Sequence, residues 1–429
     1  GSDLNDSEII QNLKSKGAEI YKGHQPSNVN GCEVMVYSSA VPQDNPELIA
    51  ARDKGIPIIK RAEMLGELIA LKQTSIGVGG THGKTSTSSM VGALLSHAGL
   101  DPTLVVGGLV KNIDTNSQLG AGDLIVVEAD EYDKSFLQLK PTISVITNIE
   151  LEHMDCYDDA DDLHDSFAQF ANSVPFYGAV VVCLDSPGVQ VIIPNIKRPV
   201  VTYGFSSQAD IGAKNVKSNE TETTYTLYQN NQKCGKVTLQ VPGKHNVLNS
   251  LAAAAIGFEM GLDAKTIIAG LGSYGGVRRR FEIKGIARNI MVVDDYAHHP
   301  TEVAATLQAA RDGWKRRIIA VFQPHLFSRT KAFYKEFAAS FMDSDILIVT
   351  DVYPAREKPI KGVNGKLVFD AAKFAGHKQA HYVPELEDLQ DVLDRIVTDN
   401  DMVITLGAGT IWRYGQSYFD HLNSQEAAA

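Results

Sequence analysis

Cysteine is scarce and scattered in this chain. Cys32, Cys156, Cys183 and Cys234 are the only four, and no two form a CxxC pair. That argues against a zinc cluster or a disulfide framework and fits reduced thiols in a cytoplasm. Long apolar runs are missing too. Nothing approaches the ~18 residues of a membrane-crossing helix, and the opening residues carry no signal-peptide pattern, so the sequence lends no support to membrane insertion or export. Excess positive charge is also lacking. Lys and Arg number 40 against 51 Asp and Glu, a net charge of −11, the wrong sign for a nucleic-acid binder. Short internal repeats are absent, and low complexity is confined to the tail Ser424–Ala429, which is expected to be disordered.

What is present suggests a large α/β protein. The 429 residues, 44% of them hydrophobic, suffice for about three domains of ~150 residues each. Residues 1–71 alternate helix and strand signals: a helix over 7–16, a strand over 33–37, a helix over 45–54 and a strand over 56–59, which is βαβ material. No strand or glycine-rich turn is evident ahead of the first helix. Residues 72–275 hold two continuous apolar runs, 124–128 and 143–148, as strands buried on both faces should. An antiparallel edge hairpin is expected around Asn230-Asn231, and a helix over 246–260. Residues 276–429 alternate again, with strands expected at 290–293, 317–322, 346–350, 380–383 and 402–406.

The strongest motif is Gly77-Val-Gly-Gly-Thr-His-Gly-Lys-Thr-Ser-Thr87. It follows an apolar run and precedes a helical pattern with Met90, Leu94 and Leu95 on one face. Strand, glycine-rich turn, Lys-Thr and helix together hold nucleoside-triphosphate phosphates: backbone N–H groups and the helix N-terminus meet the anion, with Gly80, Thr81, His82, Gly83 and Ser86 among the candidate binding residues. Lys84 adds a cation, and the Thr85 hydroxyl suits Mg²⁺. Glu128, ending a buried strand, is either a second Mg²⁺ partner or a solvated acid. His153 sits among Glu150, Glu152 and Asp155 after another strand, where it is either a structural hydrogen-bonding group or a ligand for a second metal. Lys244-His245-Asn246 opens a helix and could meet a base or ribose, although Asn246 could equally be an N-cap. Arg278, Arg279 and Arg280 at a domain junction could neutralise a transferring phosphoryl group, or form a solvated turn. Asp294 to Pro300, Gln323 to Thr330 and Asp351 to Glu357 each follow a strand, and would converge on one rim if those strands are parallel neighbours. Arg329 could grip a substrate carboxylate with both arms of its guanidinium.

The order of Gly-Thr-His-Gly-Lys-Thr, Glu-Ala-Asp-Glu, Asn-Ile-Glu-x-Glu-His-Met-Asp, Lys-His-Asn-x-x-Asn, Arg-Arg-Phe-Glu, Asp-Asp-Tyr-Ala-His-His-Pro and Gln-Pro-His-x-Phe-Ser-Arg-Thr resembles the Mur ligases over nearly the whole chain. The resemblance implies an α/β protein of three parts: a Rossmann-like UDP-binding domain (1–71), a central P-loop ATPase domain (72–275) and a Rossmann-like amino-acid-binding domain (276–429). It implies ATP- and Mg²⁺-dependent addition of L-alanine to the lactyl carboxylate of UDP-N-acetylmuramate, in cytoplasmic peptidoglycan synthesis, by a monomer or weak homodimer. By motif match Lys84 and Thr85 serve phosphates and Mg²⁺, and Glu128 and His153 hold metal. His245, Asn249 and Arg279 or Arg280 surround the nucleotide, while His298, His325 and Arg329 act near the incoming amino acid. His24, Ser38 and Ser39 would touch the UDP part, and Asp351 and Arg356 the amino-acid side. Family members open with a strand and a glycine-rich diphosphate loop that are not seen before Gly1. Lysine is absent between Lys140 and Lys197, where later family enzymes carry a carbamylated lysine, which fits the alanine-adding branch. Arg356 stands where glycine is usual, and Thr410 where aspartate is frequent. A ligase for recycled murein tripeptide, and a nucleotide- or UDP-sugar-binding protein without catalysis, are the alternative readings.

Overall fold

A computed structural model describes residues 1–152 and 156–428. Its centre is a ten-stranded sheet, and Thr74–Gly79 lies inside it between Leu124–Glu128 and Ile143–Ile146, all parallel. The flanking strands are largely apolar, apart from Ser144 and the terminal Glu128, because both faces are covered. Met90, Leu94 and Leu251, from the helices Lys84–His97 and Lys244–Glu259, pack on one face. Phe136, Phe167 and Phe170 pack on the other, the last two from the helix Ala160–Asn172. The expected hairpin forms as Glu222–Gln229 and Gln232–Leu239, at the sheet edge, turning through positive φ at Asn230 and Asn231.

A six-stranded sheet follows, parallel apart from the hairpin Glu282–Ala287 with Ile290–Asp295. Of the three rim loops expected to leave neighbouring strands, those after Phe322 and Val349 do, because Arg317–Phe322 and Ile346–Val349 pair in parallel, but the loop after Asp295 does not. Asp401–Leu406 inserts between Ile290–Asp295 and Arg317–Phe322, so the loop after Leu406 joins the rim. Residues near the start form two small two-stranded sheets. Met35–Tyr37 and Ile58–Lys60 pair in parallel across the helix Pro46–Asp53.

Two expectations need correction. A short strand does precede the first helix: Ser2–Asp3 pairs with Tyr21–Lys22. The tail is helical rather than disordered, since the last helix runs Ile411–Ala428 and Arg288 ties it down by bonding Gln425 and, through its backbone N–H, Glu426. No helix among the described residues is long and apolar enough to cross a membrane.

Candidate active site

The position of Thr74–Gly79 inside the sheet decides what its C-terminal turn meets. One neighbouring strand ends in Glu128 and the other in Thr147-Asn148, so the turn is hemmed in from both sides. Thr81 N–H donates to the Asn148 carbonyl at 3.0 Å, and His82 N–H to the Asn148 side chain at 2.8 Å. Thr81 Oγ1 accepts from Glu150 N–H at 2.9 Å. Gly80 (φ 132°) and Gly83 (φ 82°) hold conformations that resist a side chain. A Cβ on Gly83 would lie 2.6 Å from Asn249 Oδ1, and one on Gly80 would collide with Thr147 Oγ1. The glycines are thus required by packing as well as by any anion.

Lys84 and Thr85 open the helix beyond the turn. Thr85 Oγ1 donates to Glu128 at 2.9 Å, and Glu128 also accepts from Gly107 N–H at 2.7 Å. A hydroxyl and a carboxylate fixed side by side form an all-oxygen donor pair of the kind Mg²⁺ takes. Lys84 folds back onto its own turn, donating to the Gly80 carbonyl at 2.7 Å, and pairs with Glu131 at 2.8 Å. Burial alone would lower the Lys84 pKa, but Glu131, Asp130 and Glu128 outweigh it and hold the ammonium charged. Burial lifts Glu131 to about 7 against the pull of Lys84.

Two cavities meet at this turn, sharing His82, Gly83, Arg280 and Glu302 as a common wall. The smaller, of about 300 Å³, is lined by Tyr203, His245, Leu248 and Asn249 together with Ser86. Burial, and then Arg280, push His245 down to about 4, so its ring is neutral near pH 7. The larger, of about 870 Å³, collects Lys84, Thr85 and Glu128 with Ser38, Ser39, Arg279, His298 and Arg356.

The arginine triplet divides its work. Arg278 pairs with exposed Asp114 at 2.6 Å. Arg279 binds Asp294 at 3.1 Å and the Gly407 carbonyl at 2.6 Å. Arg280 faces both cavities, with Tyr296 beneath it at 5.3 Å and Glu302 at 3.6 Å. His325 stacks on Tyr353, with ring centroids 5.8 Å apart, and is 6.0 Å from the His298 ring. Arg329 holds the His325 ring at 3.1 Å and grips a carboxylate, but that carboxylate is the protein's own Glu152 at 2.6 Å. Arg356 lies over the Tyr132 ring at 5.2 Å.

Four expected side chains, Asp351, His24, His325 and Arg329, line neither cavity. Asp351 Oδ1 accepts from Val352 N–H at 3.0 Å and Gly365 N–H at 2.8 Å, holding the start of the helix Gly365–Phe374, whose unpaired amides need an acceptor. His24 bonds Ser2 at 3.0 Å beside Glu47. His153 lies outside the described residues. Sequence reasoning missed Glu131, Tyr132 and Glu302. Glu302 carried one available signal, being an acid in the first turn of a helix opened by His-His-Pro. There it pairs with His82 at 3.2 Å and accepts from His298 N–H at 3.0 Å. Glu131 closes the Glu-Ala-Asp-Glu motif, but nothing local named its partner Lys84, 47 residues away.

Comparison with known proteins agrees with this geometry. Residues 1–73 match the family described as Mur ligase family, catalytic domain; residues 78–257 match the Mur ligase middle domain; residues 279–409 match the Mur ligase, glutamate ligase domain. UDP-N-acetylmuramate–L-alanine ligase of Salinibacter ruber is 48% identical, over 100% of this chain and 90% of its own. The enzyme of the same name from Geotalea uraniireducens is 48% identical over 98% of this chain and 92% of its own. A crystal structure of UDP-N-acetylmuramate-alanine ligase from Thermotoga maritima superposes with a TM-score of 0.83 at 28% identity, covering 99% of this chain and 93% of that one. With family matches in all three parts and full-length relatives near half identity, the chain belongs to the Mur ligase family.

Proposed function

We propose that the protein is an ATP-dependent ligase that joins L-alanine to UDP-N-acetylmuramate in peptidoglycan synthesis, working in the cytoplasm as a monomer or weak homodimer. The observation that carries this reading is the larger cavity. It places a phosphate-type turn, a Thr85–Glu128 pair and a rim of arginine and histidine from the second sheet around one space.

The chemistry follows from what a carboxylate lacks. Its negative charge repels an incoming amine, so it must first be made an electrophile. The lactyl carboxylate oxygen attacks the terminal phosphorus of ATP, forming an O–P bond as the bond to ADP breaks. The amine nitrogen, having lost a proton, then attacks the carbonyl carbon. A C–N bond forms and inorganic phosphate leaves with the oxygen that carried it. The protein contributes position and charge. Lys84, released from the Gly80 carbonyl and Glu131, would meet the phosphoryl oxygens, and Arg280 faces the same space. Thr85 and Glu128, with His153 beside them in the family pattern, would hold Mg²⁺, which supplies charge neutralisation at the phosphates.

The smaller cavity suits the nucleoside, with His245 and Asn249 offered to the base or ribose. Ser38 and Ser39 would meet the UDP part, and His298, His325 and Arg356 the amino acid. The assignment of 1–71, 72–275 and 276–429 to UDP sugar, ATP and amino acid belongs to the same proposal. Phosphate release in the presence of UDP-N-acetylmuramate, measured with alanine, serine, glycine and murein tripeptide in turn, tests it. Fastest turnover with alanine is expected. Preference for the tripeptide, or ATP binding without ADP formation for any acceptor, would overturn it.

A further inference from the structure

Three side chains between the two large sheets take no step in that chemistry, although His82 and Glu150 also line the smaller cavity. His82 belongs to the glycine-rich turn, Glu150 follows the strand Ile143–Ile146, and His299 caps the helix Pro300–Gly313. One ligand atom of each lies within 4.8 Å of the others. His82 Nε2 is 3.4 Å from Glu150 Oε2, and His299 Nδ1 is 3.8 Å from the same oxygen. His299 is 4% exposed, yet neither of its ring nitrogens has a hydrogen-bond partner; His82 Nε2 has none either. Three unsatisfied, buried imidazole nitrogens so close together are unusual, because such groups ordinarily find partners.

We propose that His82, Glu150 and His299 form a binding site for a borderline divalent transition-metal ion of the Zn²⁺ type, separate from the Thr85–Glu128 pair. Two imidazoles and a carboxylate are a donor set for zinc and not for magnesium, which prefers oxygen. Tetrahedral zinc at ordinary bond lengths sets its ligand atoms roughly 3.3 Å apart. The 3.4 Å and 3.8 Å separations therefore need little adjustment. Three protein ligands leave the fourth position to water or an anion.

The surroundings of the three ligands are already organised. His82 turns its other nitrogen, Nδ1, to Glu302 at 3.2 Å, the carboxylate–histidine arrangement that orients metal-bound imidazoles. Thr301 Oγ1 donates to Glu150 Oε2 at 2.6 Å, and Phe333 packs edge-on against the His299 ring at 5.1 Å. A bound dication would tie the glycine-rich turn to the helix Pro300–Gly313, stapling the two large units and slowing any turnover that requires them to separate. The site stands on its own donors and does not depend on which substrates the protein joins.

Full-length protein stripped with a chelator and titrated with Zn²⁺ against a chromophoric competitor, in excess Mg²⁺, should take up a single sub-micromolar equivalent. His299→Gln and Glu150→Gln should each weaken that uptake by at least ~10-fold, the floor observed when even a supporting group around a metal is lost. Glu128→Gln, which alters the other donor pair, should retain it. Equal uptake by wild type and both site variants, or loss only in Glu128→Gln, overturns the proposal, as does the absence of a sub-micromolar equivalent in wild type. Should the site variants misfold by circular dichroism, a Zn²⁺-soaked wild-type crystal decides. An anomalous peak between the three side chains supports the site, and peaks only elsewhere overturn it.

Discussion

Replacing Lys84 by methionine separates what this residue does for turnover from what it does for stability. Its ammonium sits 2.8 Å from Glu131, and the two side chains are only 13% and 2% exposed. Removing one member of such a pair costs ~3–5 kcal/mol if the other stays charged. Glu131 has an escape, because burial has already lifted it from 4.5 to about 7 beside Lys84, and losing that cation lifts it further. The sign follows from linkage. An acid whose folded pKa is raised keeps its full stabilising contribution below pH 4.5, and loses it as pH climbs towards the folded value. Wild type should therefore level off near pH 7, where Lys84→Met continues to fall. The gap between them should widen by up to ~1.4 kcal/mol per pH unit, to about 3 kcal/mol by pH 9. Urea unfolding at pH 6, 7 and 9 measures it. Adding Glu131→Gln should remove the pH-dependent part, while ADP formation stays at least ~10²-fold below wild type in both variants. A gap that is constant with pH refutes the electrostatic argument, and near-normal ADP formation refutes the assignment of Lys84 to the phosphates.

The other predictions concern the turn and the two cavities. Gly80→Ala and Gly99→Ala both force a side chain to positive φ, yet only at Gly80 is there an atom for it to strike. Gly99→Ala should cost ~1–2 kcal/mol in thermal or urea unfolding, and Gly80→Ala clearly more, with weakened ATP binding by calorimetry. His245, held near 4 by burial, takes its proton more readily unfolded than folded. Stability should fall as pH drops from 6.5 towards 4 by up to about 3 kcal/mol, and His245→Gln should flatten that limb of the unfolding profile. Arg356→Gly should raise KM for the amino acid by ~10-fold, as loss of a charge-assisted contact predicts, with KM for ATP little changed. Equal effects on both constants would remove Arg356 from the amino-acid side.

Legibility in the sequence followed the range of the interaction. Thr74–Gly79 and Leu124–Glu128 could be read because strands buried on both faces are mostly apolar, and the turn after Gly79 because its glycines serve local backbone geometry. The arginine triplet was visible, but the division of its members among Asp114, Asp294 and Glu302 was not, since each partner lies on a different element. Asp351 shows the opposite error. A carboxylate after a strand reads as a ligand, and here it accepts the amides of a helix start that follows 14 residues later. Arg329 was legible as a carboxylate binder, though nothing in its neighbourhood named Glu152, 177 residues away.

The sequence by itself determined the alternation of strands and helices, the phosphate-type turn with Lys84 and Thr85, and the family to which those ordered motifs point. Each depends on residues close together in the chain, where backbone preference and hydrophobic period act directly. Only the tertiary structure decided that Glu128 stands against Thr85, that Asp401–Leu406 splits the second rim, and that His82, Glu150 and His299 come together in one small space. Those outcomes depend on strand order in the two sheets and on how the sheets' loops face one another, and packing of the whole chain sets both.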